Sequence, residues 1–288
     1  MQIGILCKSA SWYGREIRRA AEERGHRCRF LKFETLFSKI REGKEHFTTD
    51  DFDLAELDAV LVRTMPPGSL EQVVFRMDYL ARLEAAGMRV LNSPKAIECA
   101  VDKYLATSRF LQKGLHVPDT ATCETAEEAM KQFQDFGGDV VVKPIFGSEG
   151  RGLLRVSDSE LAYRTFRTLE KLQAVIYLQR FLPHDFDMRV LTLNGKILGA
   201  MKRFGNDDFR TNVTQQGRAE LYAPTDEECF TALKAAETTG TTFAGVDLLR
   251  DGKGTLYTIE VNAVPGWRAF EKVNDCVVAE KLINYLET

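Results

Sequence analysis

Six cysteines and four histidines are scattered along the 288 residues with no C-x-x-C pair and no ligand-like spacing, which argues against a zinc site and against a disulfide frame. Isolated thiols suit a reducing compartment, so the cytoplasm is the expected location. No stretch approaches the roughly 18 consecutive apolar residues that a membrane span requires. The start, MQIGILCKSASWYG, has neither a basic region before its apolar run nor an evident cleavage site, so it reads as a first strand. Its following turn, CKSASWYG, lacks the G-x-G-x-x-G that brings a pyrophosphate onto a helix N-terminus. An excess of one charge is missing too: 39 Lys and Arg stand against 42 Asp and Glu, for a net charge of −3. Neither nucleic acid nor an anionic membrane is an expected partner on that balance, although a local basic patch is compatible with it. Repeats and low-complexity segments are absent.

The hydrophobic content of 44% with 28% charged residues is that of a globular protein with a sizeable core. In the first third, strands (QIGIL, CRFLKF, DAVLVR, RVLN) alternate with amphipathic helices (YGREIRRAAEERG, SLEQVVFRMDYLARLEAAG) around an acidic, loop-rich middle. That rhythm predicts a small parallel sheet. Ser93 and Pro94 then open a helix that is expected to run to Gly114. VPDTATC is extended, TAEEAMKQFQDFGG helical, and DVVVKPIFGSEGRGLLRV reads as two strands around a glycine-rich loop. From about residue 174 the chain is mostly β, with a hairpin at Asn194-Gly195, the helix TDEECFTALKAAETTG and a last hairpin, GVDLLRDGKGTLYTIEVN. The division expected from these shifts is 1–92, 93–173 and 174–288.

Chemistry concentrates in the last hairpin. In IEVNAVPGW, Glu260 and Asn262 lie two apart and share one face of a strand. A hairpin loop with an even number of residues places Asp247 opposite Thr258 and on that same face, whereas a three-residue loop sends it to the other. With the even loop, three oxygen-bearing side chains converge, a set suited to Mg²⁺ or Mn²⁺ held together with phosphates. A solvent-facing sheet surface is the competing explanation. Leu248, Ile259 and Val261 point the opposite way in this register, as a buried face would, which favours the metal. A phosphate site needs donors and positive charge, and VVVKPIFGSEGRG has both. Lys143 ends a β-branched run, and Gly147, Gly150 and Gly152, with Ser148 among them, allow backbone N–H groups to approach phosphate. The lysine precedes the glycines, so this is not a Walker A loop. Lys103 in VDKY is a second basic candidate. A third cluster is cationic: Arg189, Lys202, Arg203, Arg210 and Arg218, mixed with Asn212, Gln215 and Gln216, suits a carboxylate substrate, with Lys202 and Arg218 also readable as a solvated rim.

These clusters, in this order from DKYLATSRFLQKGLHVPDT through VVVKPIFGSEGRGLLRV, YLQRFLPHDFDMRVLTLNGKILGAMKR and DFRTNV to AGVDLLRDGKGTLYTIEVNAVPGW, resemble the ATP-grasp superfamily and within it the RimK-like α-L-glutamate ligases. The likeness covers nearly all of residues 93–270. The first third matches in its strand–helix rhythm, like the pre-ATP-grasp domain of such enzymes. The implied fold is α/β (an α+β ATP-grasp), with a small N-terminal parallel-sheet domain followed by two α+β subdomains clamping ATP.

The resemblance implies that Lys103 and Lys143 hold the ATP phosphates under a loop containing Gly147, Ser148, Gly150 and Gly152. It places Gln179, Arg180, Phe181 and Leu182 at the adenine hinge, Asp187 at the ribose, and Asp247, Glu260 and Asn262 on Mg²⁺. Arg189, Arg203, Arg210 and Asn212 would face the acyl phosphate and the incoming amino acid. Two departures stand out. Arg180 occupies a position where relatives commonly have an acidic residue, and AVPGW replaces the usual ASPGL, so that Trp267 and Arg268 are expected to shape a different acceptor pocket. The implied enzyme is an ADP-forming ligase that activates a carboxylate as an acyl phosphate and joins it to an amino acid, glutamate first. The acceptor is expected to be a small pterin-type or deazaflavin-type molecule, or else a protein tail. The alternatives are an amino-acid ligase of the lysine- or arginine-biosynthetic type and a non-catalytic nucleotide-binding regulator. Ligases of this type are often dimers or tetramers, so a homo-oligomer is compatible with the resemblance.

Overall fold

The structure, a computed structural model, describes residues 1–50, 52–147, 152–205 and 218–288. The chain first runs through β1 (Gln2–Leu6), α1 (Trp12–Glu22), β2 (Arg27–Leu31), β3 (Leu36–Arg41), β4 (Lys44–Thr49), β5 (Phe52–Asp53), β6 (Ala59–Val62), α2 (Leu70–Ala85) and β7 (Arg89–Leu91). Strands β2-β1-β6-β7 make an all-parallel sheet in that order. The continuous apolar runs of β1 and β6 fit a sheet covered on both faces. Each helix starts where the sequence supplies a cap: the Ser11 hydroxyl accepts from Gly14 N–H, and Ser69 forms a capping box with Gln72. The middle expected to be loop is instead an antiparallel sheet, β3-β4-β5. Its hairpin tip, Glu42-Gly43, has φ of 53° and 75° at its two positions, the backbone of a type I′ turn.

Next come α3 (Pro94–Val101), α4 (Lys103–Gln112), β8 (Thr120–Cys123), α5 (Ala126–Asp135), β9 (Val140–Lys143), β10 (Leu154–Val156), α6 (Ser159–Lys171) and β11 (Ile176–Arg180). The single helix expected from Ser93 to Gly114 is broken at Asp102, which has φ −83° and ψ 101°. Its carboxylate accepts from Leu105 N–H at 2.9 Å and so caps α4. Aspartate competes well for backbone N–H groups and favours such caps over helix interiors. The sheet β10-β9-β11-β8 is antiparallel and is covered by α5 and α6 through Ala129, Phe133, Val142, Phe166 and Leu178.

The remainder comprises β12 (Asp187–Leu193), β13 (Lys196–Phe204), β14 (Arg218–Tyr222), α7 (Asp226–Thr239), β15 (Phe243–Arg250), β16 (Leu256–Asn262), α8 (Arg268–Glu271) and α9 (Val278–Leu286). Strands β14-β13-β12-β15-β16 form an antiparallel sheet. The turn at Asn194-Gly195 has φ of 48° and 70°, as the hairpin signal predicts. One face of this sheet packs Val190, Val246 and Leu248 against Phe110 of α4 and the alanines of α7. On the other face, Leu191, Leu193, Met201 and Phe243 join Ile3, Ile5, Trp267 and Ile283 in a core shared with the first sheet. The fold is mixed α+β, with a small parallel sheet, a three-stranded antiparallel sheet inserted between its strands β2 and β6, and two larger antiparallel sheets after it.

The last hairpin is not closed by an even loop. Arg250 pairs with Leu256, so five residues turn the chain, and Leu248 then opposes Thr258. A β-bulge follows, and beyond it Asp247 opposes Glu260 and Gly245 opposes Asn262. The extra residue restores the alternation that the odd loop would have reversed. Asp247, Glu260 and Asn262 therefore share a face, for a different reason from the one expected. Ile259 sits at the bulge and is half-buried, whereas Leu248 and Val261 are in the core.

Candidate nucleotide and metal site

Cross-strand pairing builds the acidic half of the site. Arg189 on β12 opposes Asp247 on β15, which opposes Glu260 on β16, so three side chains of alternating charge line up across the sheet. Arg189 donates from Nε and Nη2 to the two oxygens of Asp247, both at 2.7 Å. On β13, Arg203 opposes Asp187 and grips it in the same bidentate manner at 2.7 and 2.6 Å. Its Nη2 also lies 3.0 Å from Asp247 Oδ2. Burial by itself would raise the pKa of Asp247; the charges and hydrogen bonds of Arg189 and Arg203 outweigh it and hold the group at about 2. The same carboxylates push Arg203 up against the effect of its own burial. Asn262 donates from Nδ2 to Glu260 Oε1 at 3.0 Å and to the Gly245 carbonyl at 3.3 Å. With its amide nitrogen used in this way, its carbonyl oxygen is the group left for a ligand.

The basic half is carried by α4 and β9. Lys103 is the first residue of α4; its N–H donates to the Ile145 carbonyl at 3.2 Å and its Nζ to the Gly147 carbonyl at 2.9 Å. Burial lowers its pKa, opposed by the nearby Glu260 and Asp102 carboxylates. Lys143 ends β9 and donates to Gln179 Oε1. Burial drives Lys143 down to about 8, with Glu260 and Asp247 pulling the other way and Lys103 adding to the fall. Glu260 thus acts on both lysines, and Asp247 on Lys143, and α4, which carries Lys103, packs against β16, which carries Glu260. Gly147 and Gly152 adopt φ of 151° and 77°, and a Cβ at Gly152 would meet Pro144 at 2.8 Å, so that end of the loop accepts glycine alone.

Several expected residues lie elsewhere. Trp267 is fully buried, packed against Tyr13 and Phe243 in the core between the first and last sheets. The expectation that its ring lines an acceptor pocket is corrected: it fills a core and can act on the site only through the turn that carries it. Gln179 turns its side chain to Lys143, and Arg180, on the opposite face of β11, pairs with Asp119 at 3.1 Å. Phe181 stacks under Arg155 at 3.6 Å, and Leu182 is buried. Ser148, Gly150, Arg210 and Asn212, with Gln215 and Gln216, lie outside the described residues.

Two residues that sequence reasoning passed over brace the acidic strand from behind. Asn92, just past β7, donates to the Phe243 and Ala263 carbonyls, both at 2.6 Å, and accepts from Thr242 and Phe243 N–H at 2.8 and 2.9 Å. Arg63, just past β6, donates to the Pro265 carbonyl at 2.6 Å with its guanidinium 4.4 Å from the Trp267 ring. Burial pushes Arg63 down to about 10. A lone Asn after a strand carries no pattern; only the charge of Arg63 at the end of an apolar run could have drawn attention.

Among the described residues no group of three or more His, Cys, Asp or Glu side chains could hold a metal by itself. Two carboxylates and an amide oxygen nevertheless suit a hard cation that completes its shell with phosphate and water. The donor set therefore fits Mg²⁺ bound together with a nucleotide.

Residues 100–286 match the RimK-like ATP-grasp domain, and residues 1–97 match the RimK pre-ATP-grasp domain. The chain is 31% identical to the tetrahydromethanopterin:alpha-L-glutamate ligase of Methanosarcina acetivorans, covering 99% of this chain and 98% of that one. It is 30% identical to a probable alpha-L-glutamate ligase of Aliivibrio fischeri, over 100% and 95% of the two chains. In fold it is similar to the ATP-grasp ligase PsnB complexed with minimal precursor, with a TM-score of 0.80 at 20% identity over 99% and 97% of the chains. It is also similar to the D-cycloserine synthetase DcsG, with a TM-score of 0.75 at 15% identity over 99% and 100%.

Proposed function

The chain belongs to the RimK-like ATP-grasp family of ATP-dependent carboxylate–amine ligases, and from that premise we propose that it joins L-glutamate to the carboxylate of a small pterin-type acceptor with Mg²⁺ and ATP. One observation supports the site assignment: α4, which begins at Lys103, packs against β16, which carries Glu260 and Asn262, and Glu260 acts electrostatically on both Lys103 and Lys143. Support for glutamate and for the acceptor class comes from the relative that is named a tetrahydromethanopterin:alpha-L-glutamate ligase. Trp267, being core, no longer contributes to the choice of acceptor. The expected division at 1–92, 93–173 and 174–288 is retained as part of the proposal, with the cytoplasm as the location; the six cysteines are free, and no helix among the described residues is long and apolar enough to cross a membrane.

A carboxylate is a poor electrophile, so the γ-phosphoryl of ATP is first transferred to it, giving an acyl phosphate and ADP. The amino group of glutamate then attacks the acyl carbon, phosphate leaves, and an amide forms. Lys103 and Lys143 bind and orient the phosphates, and the charges they supply offset those that spread over the transferring group. Asp247, Glu260 and Asn262 would hold Mg²⁺, which supplies further charge neutralisation at the phosphates. Arg189 and Arg203 hold Asp247 ionised and, with their remaining N–H groups, suit the acceptor carboxylate and the acyl phosphate.

The test is a panel of carboxylate acceptors, tetrahydromethanopterin among them, incubated with Mg·ATP and each of several amino acids and read by mass. A gain of one or more glutamyl units with matching ADP release supports the proposal. Incorporation of a different amino acid moves the chain to the biosynthetic-ligase alternative, and nucleotide binding without turnover on any pair favours the regulatory one.

A further inference from the structure

Resting on the nucleotide site proposed above, we infer that Gln179, Tyr177 and Thr107 form a positioning relay that fixes Lys143 relative to Lys103 and so sets the spacing of the two phosphate-binding ammonium groups. The relay is closed by donor and acceptor chemistry. Lysine only donates, so the amide oxygen of Gln179 must face Lys143, and its Nε2 then points the other way. That nitrogen donates to Thr120 Oγ1 and to Tyr177 Oη, both at 2.9 Å. Thr120 in turn donates to the Pro118 carbonyl at 2.7 Å, which fixes it as an acceptor toward Gln179. The Tyr177 and Thr107 hydroxyls share a hydrogen bond of 2.9 Å. Gln179 is 2% exposed and Tyr177 1%, so water does not compete for these groups, and the amide cannot rotate without breaking every bond it makes.

The far end of the relay is what gives it a function. Thr107 lies four residues after Lys103 on α4, so both are on one face of that helix. On that face Lys103 meets the Gly147 carbonyl and Thr107 meets Tyr177. Ala106 and Phe110 anchor the same helix in the core of the last sheet. Lys143, Tyr177 and Gln179 belong to β9 and β11 of the middle sheet, where Lys143 opposes Tyr177. The relay therefore joins the element carrying one lysine to the strand carrying the other. A lysine side chain is otherwise spread over many rotamers, and phosphate binding would have to order it. In this arrangement the side chain of Gln179 acts on the phosphate end of the nucleotide, not on the base.

The experiment compares the affinities of Mg·ATP and of AMP, each in competition with a fluorescent ADP analogue, in Gln179→Met, Tyr177→Phe, Thr107→Val and Thr107→Ser. Loss of a hydrogen bond to a charged group predicts Mg·ATP binding weaker by roughly tenfold in Gln179→Met and about three- to fivefold in Tyr177→Phe and Thr107→Val. The last two are expected to be non-additive when combined. AMP, which lacks the β- and γ-phosphates, is expected to change less than about twofold, and Thr107→Ser to bind like the wild type, since it keeps the hydroxyl. Melting by circular dichroism checks folding; if Tyr177→Phe does not fold, Thr107→Val, at the edge of the network, carries the test. Equal losses for AMP and Mg·ATP, or a Thr107→Ser variant as weak as Thr107→Val, would overturn the relay, because a structural defect or a base contact behaves in that way. A wild type that does not bind Mg·ATP would remove the nucleotide site itself; normal wild-type binding with unaffected variants would remove the relay alone.

Discussion

Asp247 is 4% exposed and still ionised, because Arg189 takes both of its oxygens and Arg203 one of them. Its folded-state pKa of about 2 lies below the ordinary carboxylate value, so the stability it contributes is fully present above that ordinary value and is lost as the pH falls toward about 2. The linked contribution is about 2 kcal/mol. Asp247→Asn keeps the shape but leaves the part-buried Arg189 guanidinium without its counter-charge and the buried Arg203 with Asp187 alone. Urea denaturation at neutral pH is expected to show a loss of about 3–5 kcal/mol together with a flatter acid limb. A loss below about 1 kcal/mol would mean that the arginines find other partners at no net cost. At this scale the sequence was most informative about chemistry that has a fixed signature. Glu260 and Asn262 could be set on one face because strand alternation fixes it, and the structure brings Asp247 beside Glu260 on that face; Lys103 and Lys143 were singled out by residue type alone. Asn92 was not, since its four hydrogen bonds go to backbone groups some 150 positions or more along the chain, and no local pattern records them.

The helix α4 shows how one capping residue places a functional side chain. Asp102 ends α3 and begins α4, and that break puts Lys103 at the first helical position with its N–H on the Ile145 carbonyl. Asp102→Ala removes the cap at a cost of about 1 kcal/mol. It also lets the two helices run together, so a fall in Tm of roughly 2–4 °C should be accompanied by a higher KM for ATP. A lowered Tm with an unchanged KM would show that Lys103 is placed by something other than the break. The helix–helix junction was invisible in the sequence because Asp102 sits in a run with unbroken helical periodicity. The opposite holds for Asn194-Gly195 and for the capping box at Thr225, where residue type alone dictates the backbone. The bulge in β16 is the instructive case between these extremes. Alternation requires Glu260 and Asn262 to share a face, but whether Asp247 joins them depends on a loop and a bulge whose effects cancel, and neither has a residue signature.

Across the whole molecule, the first sheet and the last are not separable. Ile3, Ile5, Ile17 and Leu61 share one buried core with Leu191, Phe243, Trp267, Phe270 and Ile283. Arg24 and His26 further bind Glu287, near the other end of the chain, and Arg89 donates to the Leu286 carbonyl at 2.7 Å. A fragment of residues 1–92 would expose the apolar faces that this core covers, so it is expected to lack cooperative thermal unfolding by circular dichroism. A sharp transition in the fragment would show that the parallel sheet needs no partner. The same shared core explains why Trp267 could not be placed from sequence: the turn at 265–267 reads as a pocket wall until the first sheet is packed against it. The site thus depends on strands from the β10-β9-β11-β8 and β14-β13-β12-β15-β16 sheets and on bracing from the parallel one. The measurement closest to the central claim is ADP release coupled to glutamyl transfer onto tetrahydromethanopterin, made side by side for the wild type and Glu260→Ala at saturating Mg·ATP. The expected result is transfer by the wild type and loss of at least about a hundredfold in the variant, with both proteins melting at the same temperature. Wild-type transfer rates in Glu260→Ala would contradict the assignment of the Asp247, Glu260 and Asn262 face as the metal–phosphate site.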